Sequence, residues 1–349
     1  MSDAEHLVQT LRSQGRLCAA SGSPMYAELL DRVATDVQAS GVFATILSGH
    51  IDTPAQHAIP LRLLGGLHRL VLDDRIQTLR RWYPSAGGNW HAETAWPDIV
   101  DAAASQANVL RAALDQPPQT NEVGRSAALL GGLLHISRQF GLPVRLFEIG
   151  CSAGLNLRAD QYSYGFAGGR WGPADSPVAI ENAWLGELPP AATVQIIERH
   201  GYDTAPIDIT TADGELTLLS YVWPDQTARL DRLRGALDVA RDVPAHVHRR
   251  TAHDAVRGLT LAEGTVTVLW HSITWQYLSA SEQTAVRGGI EALAAHARAH
   301  RPFAHLTLEP TIEARDTGTK FLVRVCSWPG SEDRVLAECQ PHGPPVRWQ

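Results

Sequence analysis

The sequence predicts an α/β protein: a mostly parallel sheet with an antiparallel edge, preceded by a helical N-terminal region. Three observations predict it. The first 140 residues carry apolar side chains at three-and-four spacing and contain no convincing strand. Beyond them, short apolar strands alternate with amphipathic helices, the pattern of a parallel sheet. The chain then closes on consecutive strands, the pattern of an antiparallel edge. The boundary falls near residue 140, giving a helical region over 1–140 and a sheet region over 141–349.

In the helical region, "SPMYAELLDRVATDVQAS" begins at a Ser-Pro helix start and places Tyr26, Leu29, Leu30, Val33 and Val37 on one face. "IPLRLLGGLHRLVLDDRIQTLRRWY" repeats the habit, with Gly65 and Gly66 allowing close packing or a kink. "PDIVDAAASQANVLRAALD" is a further amphipathic stretch. "NEVGRSAALLGGLLHISRQFG" reads as a long helix capped by Gly141, with Pro143 just beyond.

The sheet region opens on "VRLFEIG", apolar and short enough for a strand buried on both faces. A helix is expected from Gly154. A Gly/Pro/Trp-rich stretch over 163–192 has room for a short strand at "PVAIENAW". "ATVQIIERHG" fits a strand or a short helix, "WPDQTARLDRLRGALDVARD" a helix, and "AHVHRRTAHDA" and "GTVTVLWHSI" strands. "SEQTAVRGGIEALAAHARAH" is a helix with a Ser cap, and "FAHLTLEP", "KFLVRVCSWPG" and "RVLAECQPHG" are late strands.

Composition narrows the function. Of 349 residues, 44% are hydrophobic, enough for a sizeable core. A net charge of −7 lacks the basic field of a nucleic-acid binder. Cys18, Cys151, Cys326 and Cys339 include no C-x-x-C pair, so neither a zinc knuckle nor a redox motif is expected. The charged N-terminal stretch is unlike a signal peptide, and no run approaches the ~18 apolar residues of a membrane helix. A cytoplasmic location without membrane association is the expectation. His296 and His300 have metal-ligand spacing but no E-x-x-H partner, and His246 and His248 are equally weak ligands, so no metal is expected.

"RLFEIGCSAGLNL", residues 145–157, is the most informative stretch. Small residues at the exit of a buried strand have three competing uses. They let a cofactor approach the backbone, they present Ser152 as a nucleophile in G-x-S-x-G, or they form a plain turn. A serine elbow follows a central strand with several strands before it, whereas the stretch ahead of Ser152 reads as helical; Asp254 and His271 have the order such a hydrolase needs. The spacing Gly150-x-x-x-Gly154 differs from the G-x-G-x-x-G of a dinucleotide loop and suits a cofactor without a diphosphate. Amides at the following helix start are then available for polar ligand groups.

Glu148-x-Gly150-x-x-x-Gly154 at a first strand resembles motif I of class I S-adenosylmethionine-dependent methyltransferases. "TAHDA" resembles the acidic turn after the third strand of that fold, and "TVLWHS" its fourth strand. The resemblance covers roughly 140–349 and implies a Rossmann-like, methyltransferase-type sheet. It implies S-adenosyl-L-methionine as cofactor, held by Glu148, Gly150, Cys151, Ser152, Gly154 and Asn156, with Asp254 and Ala255 near the adenine. The acid for the ribose hydroxyls is contested between Glu181 and Glu198. Glu148 either meets the cationic end of the cofactor or forms a structural salt bridge.

A second resemblance spans nearly the whole chain. "GSPMYAELL", "PLRLLGGLHRLVL", "TNEVGRSAALL", "EIGCSAGLNLRADQYSY", "YVWPDQTARLDRL" and "WHSITWQYLS" together resemble the bacterial DUF2332 family. That resemblance implies no activity.

The remaining candidates follow from the methyltransferase reading. Asn121, Glu122 and Arg125 open the helix before the first strand, where it crosses the mouth of such a site or simply carries a cap and an ion pair. Asp160, Tyr162 and Tyr164, and Trp223, Asp225 and Gln226, offer aromatic and polar groups for a small acceptor; Trp223-Pro224-Asp225 equally fits a helix start. His271 leaves the fourth strand beside Ser272, as a base for the acceptor's proton or as a packed histidine. Trp275, Gln276 and Glu309 are placed at the same rim. The expected function is methyl transfer to a small-molecule acceptor, with the helical region as lid and a homodimer allowed. A serine hydrolase using Ser152 and a catalytically silent binding protein are the rivals.

Overall fold

A computed structural model describes residues 3–54, 57–312 and 319–349. In chain order, the helices α1 (Asp3–Ala20), α2 (Pro24–Gln38), α3 (Val42–Leu47), α4 (Ile59–Leu72), α5 (Gln77–Arg80), α6 (Ala92–Ser105), α7 (Ala107–Leu114) and α8 (Ser126–Phe140) come first. Strand β1 (Val144–Ile149) follows, then β2 (Ser163–Phe166), β3 (Gly169–Trp171), β4 (Ala179–Ile180), β5 (Trp184–Gly186) and β6 (Ile196–Asp203). Next are α9 (Ala212–Ser220), α10 (Thr227–Asp242), β7 (His246–Arg249), α11 (Ala252–Arg257), β8 (Val266–Ser272) and α12 (Ala280–His296). Strands β9 (Phe303–Ile312), β10 (Thr319–Trp328), β11 (Glu332–Gln340) and β12 (Gly343–Trp348) close the chain. These elements form two compact units, one of residues 1–120 with 210–231 and one of 121–209 with 232–349.

The first unit is helical because its apolar spacing buries one face of each helix. Leu29, Leu30 and Val33 of α2, Leu63, Leu64 and Leu67 of α4, Ile99 of α6 and Leu110 of α7 share one core. Ser23 caps α2 by accepting from Tyr26 N, with Pro24 in the first turn. Gly65 and Gly66 serve close approach: an added Cβ would meet the Tyr221 ring at 2.6 Å and the Ala113 Cβ at 2.9 Å. Buried His68 on α4 has Nδ1 3.1 Å from Ser220 O and Nε2 2.8 Å from Ser85 Oγ. A carbonyl only accepts, so Nδ1 carries a proton and donates to Ser220 O. The helix expected over 59–83 breaks after Leu72, where Asp74 turns left-handed at φ 54°.

The second unit is an α/β layer structure. Its nine-stranded sheet has the order β5-β12-β11-β10-β9-β8-β1-β6-β7. β7, β6, β1, β8 and β9 are mutually parallel. β9 to β12 form an antiparallel meander, and β5 pairs in parallel with the far side of β12. From β1 the chain winds outward to β6 and β7, then returns to β8 and β9 on the other side. The winding therefore reverses between β1 and β8, and ligands of open α/β sheets bind beyond the strand ends at such a point. α11 and α12 bury Phe147, Leu269 and Phe303 on one face of the sheet. α8 packs on β9, β10 and β12 from the other, with Gly132 against Leu306.

Two local expectations are corrected, and two further features are added. The helix expected from Gly154 is a 3₁₀ stretch over Leu155–Gln161, broken at Arg158 (φ −103°, ψ 23°). Its carbonyls are taken by side chains: Leu155 O by Tyr162, Ala159 O by Tyr164 and Leu157 O by Arg199. The strand expected over 245–255 stops at Arg249, and Thr251 then caps α11 by accepting from Asp254 N. A small sheet of order β3-β2-β4 occupies part of the Gly/Pro/Trp-rich stretch. Helix α9 and strand β12 have no counterpart in the sequence reading.

Candidate active site

The turn after β1 follows from three left-handed residues in five: Gly150 (φ 68°), Ser152 (φ 53°) and Gly154 (φ 67°). Two of the three are glycine, which enters that region without a Cβ penalty. The turn is tied down from β6. Gly150 N and Cys151 N donate to Tyr202 O at 2.8 and 3.3 Å, and Ser152 N donates to Asp203 Oδ2 at 2.8 Å. Leu155 N donates to Asn121 Oδ1 at 2.9 Å. These amides are satisfied by the protein itself. Side chains also fill the glycine spaces: a Cβ on Gly150 would lie 2.4 Å from Thr274 Oγ1, and one on Gly154 would lie 2.9 Å from Val247 Cγ2. Cys151 is buried against Gly201, and burial, then Glu148 and Asp203, push its thiol well above the usual range.

Asp203 is the acid at the end of the strand beside β1. It was missed because the strand pattern fades at "RHGYD"; the signal available was an Asp one residue past an apolar Tyr in a strand neighbouring the glycine turn. Its Oδ1 accepts from Ala205 N at 2.9 Å. The contested acids lie elsewhere. Glu181 follows β4 in the small sheet and pairs with Arg170. Glu198 sits early in β6, 3.0 Å from Arg145 Nε.

Glu148 is 2% exposed, in register with Trp270 of β8. Burial raises its carboxyl to about 8; the Trp270 indole, Arg125 and Arg158 offset part of that rise, while Asp203 adds to it. The indole lies near the carboxyl without completing a hydrogen bond of ordinary geometry, and Glu148 Oε2 has no hydrogen-bond partner among the described residues. Asn156, also 2% exposed, donates to Glu122 O at 3.3 Å, while its Oδ1 has no partner among the described residues. Two buried polar oxygens near one turn thus have no hydrogen-bond partner among the described residues.

Glu122 caps and Arg125 ends a 3₁₀ turn over Val123–Arg125, rather than both standing on the face of an α-helix. Glu122 accepts from Gly124 N at 3.1 Å. Arg125 donates to Pro341 O at 3.0 Å and Ser272 O at 3.3 Å, clamping the β11–β12 turn to the end of β8.

His271, at the end of β8, is 2% exposed. Its Nδ1 is 2.6 Å from Glu309 Oε1, its Nε2 is 3.0 Å from His305 Nε2, and Trp275 stacks on the ring at 5.4 Å. Glu309 Oε1 also accepts from Thr274 N and Trp275 N at 3.0 and 3.2 Å. Arg287 of α12 lies over Trp275 at 5.1 Å. The structure thus brings His271, Trp275 and Glu309 together and adds His305, which the sequence reading did not single out.

Other candidates are engaged elsewhere. Tyr162 is fully buried with its hydroxyl on Leu155 O, and Asp160 pairs with Arg199 at 2.7 Å. Gln276 is exposed. Asp254 is exposed in the first turn of α11, next to buried Ala255. Trp223 and Asp225 belong to the first unit. There Trp223 packs on Tyr26 at 6.1 Å, and Asp225 accepts from Ser23 Oγ at 2.6 Å and Met25 N at 3.0 Å. His246 and His248 stack with His200 at 5.2 and 5.8 Å, while His300 pairs with Glu263 and His296 with Ala292 O. Among the described residues, no group of three or more His, Cys, Asp or Glu side chains is arranged to hold a metal ion. No helix among them is long and apolar enough to cross a membrane.

The sheet and the strand-end cluster define an α/β protein with a mostly parallel nine-stranded sheet, an antiparallel edge and a helical N-terminal region. Over residues 8–348 the chain matches the model of DUF2332, described as uncharacterised proteins conserved in bacteria, and it belongs to that family. No curated protein and no solved structure matches the chain.

Proposed function

We propose that this chain is an S-adenosyl-L-methionine-dependent methyltransferase with a Rossmann-like sheet, acting on a small-molecule acceptor. The observation that carries the reading is the position of Asp203: an acid ending the strand next to β1, bonded to the amide of the glycine turn at the point where the winding reverses. Ribose hydroxyls are held by an acid in this position in nucleotide-binding sheets. The buried Glu148 Oε2 and Asn156 Oδ1, without partners among the described residues, fit a cationic amine, which favours the ionised carboxylate and gives both oxygens a donor. The cofactor, when bound, supplies the methyl group on a sulfonium. The chain's own part is to hold the ribose through Asp203, hold the amine through Glu148 and Asn156, exclude water, and accept the acceptor's proton at the His271 cluster.

One observation favours a second reading, a sheet of this type that has no cofactor: Thr274 already occupies the face of Gly150. On the first reading the turn carrying Thr274 withdraws when the cofactor enters. Calorimetric titration with S-adenosylmethionine and with its demethylated product tests the two. Heat with both supports the first reading; heat with neither, from folded protein at high concentration, overturns it. Replacement of Gly154 by Leu abolishes the binding on the first reading.

A further inference from the structure

The geometry around His271 fixes the proton on its Nδ1. Glu309 Oε1 accepts two amide N–H groups, so it is an acceptor toward the ring as well, and His271 Nδ1 carries a proton. In the neutral ring Nε2 is then an acceptor. The proton on the 3.0 Å contact between the two imidazoles therefore belongs to His305 Nε2. Both His271 nitrogens are spent inside this chain. Among the described residues His305 Nδ1 makes no hydrogen bond, so the free lone pair of the series is there.

His305 stands on the face of the sheet shared by Leu269, Phe303 and Trp328. α12 packs on that face through Val286, Ile290 and Leu293 and reaches β9. His305, Thr307, Glu309 and Cys326 are partly exposed, and Arg324 is exposed. The groups around the ring are His271 and Glu309, Cys326 from β10 with the Arg324–Asp333 pair behind it, and Gln283 and Arg287 from α12 around Trp275. Burial, then Asp333, raise the Cys326 thiol to about 11, so it does not compete for the role of base. Burial and the neighbouring His271 hold His305 well below the ordinary imidazole range, so the ring is neutral at pH 7.

We propose that His305 Nδ1, and not His271, is the proton-accepting atom of this sheet. Glu309 and His271 are positioning residues behind it, and the substrate is a small molecule presenting a hydroxyl, thiol or protonated amine on the half-open face beside α12. The inference rests on the reading of the sheet as catalytic, whatever the cofactor. In the step, the substrate's X–H bond breaks and its electron pair stays on X. The proton forms an N–H bond at His305 Nδ1. The proton of His305 Nε2 passes to His271 Nε2, and the positive charge comes to rest on His271 beside the Glu309 carboxylate. The arrangement is a base oriented by a second group and that group by a third.

Long-range proton–nitrogen spectra of the full chain with labelled histidines test this, with His271→Phe and His305→Gln assigning the signals. At pH 7 the expected result is His271 protonated on Nδ1 alone and His305 on Nε2 alone. In His271→Phe, His305 loses its fixed tautomer and shows a mixture. Diethyl pyrocarbonate labels the peptide carrying His305 in the native protein and spares the one carrying His271. A proton on His305 Nδ1 or His271 Nε2 in the unsubstituted protein, or labelling of His271 ahead of His305, overturns the proposal. The unsubstituted spectrum decides even if His271→Phe does not fold. None of these measurements involves the cofactor, so a silent calorimetric titration leaves their outcome untouched.

Discussion

Thr274 is packed against the bare backbone of Gly150: a Cβ on the glycine would come within 2.4 Å of Thr274 Oγ1 and 2.5 Å of its Cγ2. The approach is driven from the other end of the same turn. Ile273 sits at φ 50°, a region that β-branched residues avoid. Glu309 holds the turn there by accepting from Thr274 N and Trp275 N. The His271 cluster and the glycine turn are therefore mechanically joined, and a change in one is felt by the other.

Gly150→Ala meets both an unfavourable φ and a collision. The expected loss is about 2–4 kcal/mol of unfolding free energy. Adding Thr274→Gly removes the collision and leaves the φ cost, so the double variant regains about half of the loss. Urea denaturation of the two single variants and the pair checks this; strict additivity would show that the contact carries no energy.

Asp203→Ala removes the acceptor for Ser152 N and Ala205 N, and the expected cost is about 1–3 kcal/mol per amide left unsatisfied and buried. Asp203→Asn keeps one of the two acceptor oxygens and sets its NH2 against the other amide, so a cost of about 1–3 kcal/mol remains. On the methyltransferase reading Asn weakens cofactor binding at least about tenfold, which corresponds to ~1.4 kcal/mol. Denaturation and calorimetry on the two variants separate the structural role from the binding one.

Much of the second unit's sheet was legible, because strands buried on both faces read as short apolar runs between turn signals, as at "VRLFEIG" and "TVTVLWHS". The segment after Gly154 was not. "LNLRAD" has helical composition, but Tyr162, Tyr164 and Arg199 take its carbonyls, and those partners come from residues a local pattern does not link. His271 and Glu309 were legible as residues at the ends of neighbouring strands. His305 was not: alternation places it on a strand face without telling that the facing ring is another histidine. Asp203 was lost because β6 ends in "RHGYD", which has no apolar alternation to follow.

Asp225, read from the sequence as a pocket residue or part of a helix start, holds the start of α2 instead. It accepts from Ser23 Oγ and Met25 N. Asp225→Ala leaves both donors short and frees the cap. A loss of about 1–3 kcal/mol in stability is expected, with cofactor affinity unchanged. A stable Asp225→Ala protein that binds S-adenosylmethionine more weakly would restore the pocket role.

Glu148 gives the chain a stability profile with a definite sign. In the unfolded chain its carboxyl titrates near the ordinary 4.5, and in the folded chain at about 8. Below 4.5 both states are protonated and the group contributes nothing to the pH dependence. Between the two values the folded state holds a proton that the unfolded state has released, so this group makes stability fall as pH rises. Above about 8 the penalty is complete, because the charge is then buried in the fold. The cause is desolvation, so Glu148→Gln, which cannot ionise, removes the slope. The variant is therefore expected to gain on the unsubstituted protein by a few kcal/mol at most between pH 5 and pH 9, and to differ little from it at pH 5. Urea unfolding at both pH values measures the difference. A gain that is equal at both would place the ionisation of Glu148 outside this range. A cationic amine bound beside the carboxyl favours its charged form, so the cofactor would release a proton on binding near pH 7. Calorimetry in buffers of different ionisation heat reads that release directly, and binding without it would detach the amine from Glu148.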